Sequence, residues 1–167
     1  AMVDGAASLM TIFYGLRASG KWPGGRGENI LDSGAPFYDV YETSDGAYVS
    51  VAPIEAKFYA EFLERIGLAD AHLPDQNDRG GWGILKARIA EVMKTRSRDD
   101  WTALLEGTDA CFAPVLTLDE AADHPHMKAR GTFIEIDGVS QPGPAPRFTR
   151  TPGAVQKPPS APGADTE

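Results

Sequence analysis

The sequence predicts an α/β fold, and within that class an α+β arrangement in which a β-hairpin is set among amphipathic helices. Three observations lead there. Residues 37–43 and 47–52 are rich in Tyr, Val, Phe and Thr, and Ser44-Asp45-Gly46 lies between them as a turn. Residues 54–66 and 82–95 change to helical spacing of their apolar side chains. The chain has 167 residues, 42% hydrophobic and 24% charged, enough for one domain to bury a core without disulfides or metals.

Taken in order, residues 2–19 carry Met2, Leu9, Met10, Phe13 and Leu16 at helical intervals, with Gly20 placed to stop the helix. So many apolar positions near one terminus suggest a helix built to bury more than one side, with too little partner surface in this chain. Residues 21–36 are rich in glycine and proline and predict a long loop, ordered or mobile. It is not a phosphate loop, because the Gly-Lys-Ser/Thr ending and a preceding strand are both lacking. The hairpin follows, and Pro53, which has no amide hydrogen for a ladder, ends its second strand.

The helix over 54–66 places Ile54, Phe58, Tyr59, Phe62, Leu63 and Ile66 near one stripe, and Gly67 stops it. A polar loop at 74–81 leads to the helix over 82–95, with Trp82, Leu85, Ile89, Val92 and Met93 inward. Ser97 and Asp100 form a capping box for a helix at 98–106, and Thr117 and Glu120 form another for a helix ending near Asp123. Residues 112–116, interrupted by Pro114, predict an edge or extended segment. Pro125 opens a short helix to about Arg130, and 132–136 predict a final strand. Seven of the thirteen prolines lie at 142–162, so order is expected to run out after residue 138 into an extended connector.

A net charge of −8 and no cluster of Lys and Arg argue against a nucleic-acid partner. No apolar run reaches the roughly 20 residues that span a bilayer, and no signal peptide is visible. The single cysteine, Cys111, allows no intrachain disulfide and fits a reducing, cytoplasmic setting; its apolar neighbours predict a buried, inert thiol. Helical periodicity already running at residue 2, no initiating Met, and Asp165-Thr166-Glu167 resembling a helix start together suggest an internal piece of a longer protein.

Few residues invite chemistry. Glu55 stands where the second strand gives way to a helix. It can orient a histidine or share a proton there, or it can be a surface residue favoured by the helix dipole at about 0.3–1 kcal/mol. His72, His124 and His126 have no metal-ligand spacing, so no metal site is expected. Ser8, Ser33 and Ser50 lack a nucleophile-elbow context. Phe37 and Tyr38 can wall an apolar pocket or fill the hairpin's core, and Met2 and Met10 can line an acyl surface or serve as core filler.

Taken together, several runs resemble the α-methylacyl-CoA racemase branch of the family III CoA-transferase superfamily. They are Gly34-Ala35-Pro36-Phe37-Tyr38-Asp39-Val40-Tyr41, Asp45-Gly46-Ala47-Tyr48-Val49, Val51 through Tyr59, Gln76-Asn77-Asp78-Arg79, Gly107 through Cys111, His124-Pro125-His126 and Pro144 through Phe148. The resemblance implies a two-domain enzyme forming an interlocked homodimer, with a Rossmann-like large domain that holds CoA. On that reading residues 1–20 end the large domain, 21–36 link, 37–137 form the small α/β domain, and 138–167 return toward the large domain. The implied reaction removes and returns the proton α to the thioester of a 2-methylacyl-CoA, with a His/Asp pair that this chain lacks. It implies no cofactor beyond the CoA of the substrate itself. The family's supporting glutamate falls on Glu55, and Tyr38, Ile54 and Met2 fall near its acyl pocket. Ile12 and Ile30 stand where methionine occurs in the family's acyl surface. The alternatives are a family III CoA-transferase, which tends to carry Gly-Asn where Ile54-Glu55 stand here, and a non-catalytic dimerisation or binding module.

Overall fold

In the computed structural model, which describes residues 1–164 and 166, the chain forms two compact units, Ala1–Val115 and Leu116–Glu167. The first is organised on a three-stranded antiparallel sheet of order β1-β2-β3, with β1 at Asp39–Glu42, β2 at Tyr48–Val51 and β3 at Phe112–Val115. Asp39 pairs with Val51, and Val51 pairs with Phe112, so β2 is central. Period-2 alternation puts Tyr41, Val49 and Val51 into the core and leaves Val40 and Tyr48 about half exposed. Pro114 is tolerated because β3 is an edge strand.

Helices cover the buried side. Tyr59 and Phe62 come from α3 (Ala56–Arg65); Trp82, Leu85, Ile89 and Met93 from α4 (Trp82–Met93); Trp101 and Leu105 from α5 (Arg98–Leu105). The expected capping box opens α5, and the Trp101 indole donates to the Met93 carbonyl at 2.9 Å, joining α5 to the end of α4. The hairpin turn docks on the same point: Ser44 N–H donates to Arg96 O at 2.9 Å, and the Asp45 carboxylate accepts from Arg98 N–H.

The predicted helix over 2–19 is two helices, α1 (Met2–Leu9) and α2 (Thr11–Ala18). The break has a local cause. The Thr11 hydroxyl takes the Ser8 carbonyl at 2.7 Å, and Met10 N–H bonds to Ala7 O in the tighter i→i−3 pattern, interrupting the ladder. Neither helix has a buried residue, and Met2, Leu9 and Tyr14 are 94%, 81% and 70% exposed.

The loop at 23–35 is held by its own polar groups. Asn29, fully buried, accepts from Gly24 N–H at 3.0 Å and donates to Gly25 O and to Asp32 at 2.8 Å each. The Asp32 carboxylate also accepts from the amides of Asn29 (2.6 Å) and Gly27 (3.1 Å). A Cβ at Gly34 would lie 2.5 Å from the Asn29 backbone, so only glycine fits the closure. Two cations from elsewhere in the unit fasten the loop: Arg79 donates to Glu28 O, and Lys86 donates to Ser33 O at 2.5 Å.

In the second unit, α6 (Leu118–Asp123) opens with the Thr117/Glu120 capping box, and α7 (Pro125–Arg130) has Pro at its first turn. Order does not end at residue 138. Strand β4 (Phe133–Ile136) pairs with β5 (Val139–Pro142) across Asp137-Gly138, whose φ values of 50° and 77° are those of a two-residue hairpin turn. Past the hairpin, the Arg147 guanidinium donates to the carbonyls of Arg130 and Gly131, closing the end of α7. The expected helix start at 165–167 falls largely outside the described residues. No described helix is long and apolar enough to cross a membrane.

Candidate functional site

The antiparallel register determines what lies at one end of the sheet. Beyond the Asp39, Val51 and Phe112 row, the three strands continue into Tyr38, the 52–55 segment and Cys111. Ala52 N–H donates to Cys111 O at 2.9 Å, carrying the pairing one step past the ladder. Glu55 therefore leaves from the central strand, with Tyr38 and Cys111 on the flanking ones. Ile54 precedes it, 41% exposed.

Glu55 is the residue before the first turn of α3, in extended conformation, and its side chain makes no capping hydrogen bond. Asp, Asn, Ser or Thr at that position folds back onto the first amides of a helix; Glu, one methylene longer, does so less readily. The carboxylate of Glu55 is exposed and uncommitted to its own helix. Its charge reaches Cys111: burial raises the thiol pKa, and Glu55, Asp109 and Glu61 push it further in the same direction. Cys111 is partly exposed, not buried as its apolar neighbours predicted, because its φ of 50° bends the chain just before β3. The expectation of an inert thiol is supported by the raised pKa.

Tyr38 is half-buried, and the next residue, Asp39, is paired with Lys86 of α4 at 2.6 Å, which also donates to Ser33 O at 2.5 Å. The neighbouring aromatics, Phe37, Tyr59 and Trp82, pack edge-on, with centroids 5.8 Å apart for Phe37–Tyr59 and 5.9 Å for Phe37–Trp82. Phe37 is thus core, and Tyr38 is the aromatic left at the rim. Met2 is not brought to this end; α1 packs against α2, and Met2 stands in solvent.

Sequence reasoning gave no role to Gln76. Its side-chain amide is buried and donates to two successive carbonyls, Pro53 O at 3.1 Å and Ile54 O at 2.9 Å. The main-chain carbonyl of Gln76 accepts the Trp82 indole N–H at 2.9 Å. The only hint in the sequence is a Gln-Asn-Asp-Arg run before a tryptophan; the partners lie 22 and 23 residues away.

Residues 1–166 match CoA-transferase family III, and the chain belongs to that family. Among its relatives, mouse α-methylacyl-CoA racemase is 42% identical over 153 residues, covering 90% of this chain and 40% of the mouse protein. The human α-methylacyl-CoA racemase is 40% identical over the same length, with the same coverage. The chain thus spans about two fifths of the length of the curated relatives it matches. The crystal structure of Rv3272 from Mycobacterium tuberculosis shares the fold, with a TM-score of 0.69 at 18% identity over 95% of this chain and 41% of that one.

Proposed function

We propose that this chain supplies the small-domain side of an acyl-CoA racemase. In the parent enzyme, a His/Asp pair from outside these 167 residues removes the proton α to the thioester of a 2-methylacyl-CoA and returns it to the opposite face. The thioester carbonyl takes up the electron pair as an enolate, the α-carbon becomes planar, and reprotonation from the other side inverts it. The role of Glu55 is to accept a hydrogen bond from the ring N–H of the histidine that moves the proton, fixing its tautomer and orientation. Tyr38 and Ile54 flank the acyl group, and CoA enters only as part of the substrate. The parent's interlocked homodimer, with Met2 facing the acyl chain from the large-domain side, belongs to the same proposal.

The observation that carries this reading is the exposed Glu55 carboxylate, which is not used as a helix cap and leaves from the central strand beside an aromatic rim. Identity of 40–42% to two racemases supports it. The test is α-proton exchange from a 2-methylacyl-CoA in deuterated water by the full-length parent. Exchange is expected without transfer of CoA to a second acid; CoA transfer without exchange would establish the transferase alternative. Glu55→Gln, which keeps the shape and removes the charge, is expected to slow exchange by about 10²-fold. An unchanged rate removes Glu55 from the mechanism.

A further inference from the structure

We infer that Gln76 is the positioning residue for Glu55, an inference that rests on the racemase reading given above. The sheet's hydrogen bonding ends one residue past Val51, where Ala52 donates to Cys111 O. The next two carbonyls, of Pro53 and Ile54, have no strand to accept from, and Pro53 is buried. A buried carbonyl without a donor costs about 1–3 kcal/mol, so a junction left to itself would rearrange. The Gln76 amide supplies both donors, at 3.1 and 2.9 Å, and fixes the backbone immediately before Glu55.

Gln76 is itself fixed. The Trp82 indole donates to its main-chain carbonyl, Asp75 O accepts from Asp78 N–H at 3.0 Å, and a Cβ at Gly81 would come within 2.3 Å of Pro74, so the 74–81 loop closes tightly on itself. Trp82 begins α4, the helix whose Lys86 pairs with Asp39, the residue after Tyr38. One helix thus references both sides of the site. Because the Glu55 side chain makes no bond to its own helix, its direction comes from this backbone clamp and from whatever it orients. Small displacements of an acid/base array cost rate steeply, about 10²-fold per ångström.

The variant is Gln76→Met, of similar length with no donor, made in the full-length parent alone and with Glu55→Gln. Expected are a fall in kcat for α-proton exchange of about 10-fold with KM within about twofold, and a double variant no slower than Glu55→Gln alone by more than about twofold. Losses that multiply in the double variant, or a raised KM with kcat unchanged, overturn the proposal. Amide hydrogen exchange on the 167-residue chain reads the clamp directly: Ile54 and Tyr59 amides lose protection in Gln76→Met, while Leu85–Met93 keep theirs. Unchanged protection at Ile54 and Tyr59 also overturns it. If Gln76→Met does not fold, Trp82→Phe, which removes the indole donor together with part of a buried ring, is expected to give the same loss at Ile54 and Tyr59 in smaller measure; no loss there counts against the clamp. A wild-type parent without α-proton exchange defeats the racemase reading and the catalytic role of Gln76 together, and the amide protection still reports whether Gln76 fixes the junction.

Discussion

Two buried tyrosines show how much a single hydroxyl decides. The Tyr41 hydroxyl donates to the buried Pro36 carbonyl at 2.5 Å, while the Tyr59 hydroxyl has no hydrogen-bond partner among the described residues. Burial raises both pKa values, so both stay protonated across the physiological range. Tyr41→Phe strands a carbonyl and is expected to cost about 1–3 kcal/mol; Tyr59→Phe strands nothing and is expected to cost less than about 0.5 kcal/mol. Denaturant midpoints of the two variants check this, and equal losses would mean that the Tyr59 hydroxyl has a partner. The place of Glu55 between strand and helix was legible at this scale. The bonds that Gln76 makes to the junction were not, because both of its acceptors are distant in sequence.

The loop at 23–35 behaves as an element although it contains no helix or strand. Burial raises the Asp32 pKa, but the Asn29 side chain and the amides of Asn29 and Gly27 outweigh it, and the carboxyl lies below its ordinary value. With the folded pKa below the unfolded one of about 3.9, the stabilisation is present above that pH and is lost as pH falls through the folded value. The amide chemical shifts of Gly27 and Asn29 are expected to titrate together with a midpoint below about 3.9. A midpoint at or above it would show that the carboxylate does not hold the loop. Elements set by local chemistry were readable from sequence: the Ser97/Asp100 and Thr117/Glu120 boxes, Pro125, and the hairpin turn all stand where expected. Where two local preferences competed, the reading failed. Thr11 interrupts a helical pattern, and proline density beyond residue 142 masked the Asp137-Gly138 turn that makes β5.

At the scale of the whole molecule, most of the core was legible because it follows two periodicities, and the class of protein was legible because its motifs run in order through both units. Less legible was which parts are secured by side chain-to-backbone bonds, since these join distant residues. The Arg147 bonds to the end of α7 are of that kind, and beyond them residues 148–164 are exposed throughout. A protease therefore meets a sharp boundary. Within the second unit, trypsin is expected to cut first after Arg150, because Arg147 is occupied by the helix end and the Lys157–Pro158 bond resists a basic-site protease. Mass spectrometry of a brief digest checks it; an initial cut after Arg147 would mean that the clasp opens readily. The same clasp then sets where the chain can be trimmed: a digest ending at Arg150 keeps the hairpin and its clasped helix, and one ending before Arg147 releases that helix end to solvent.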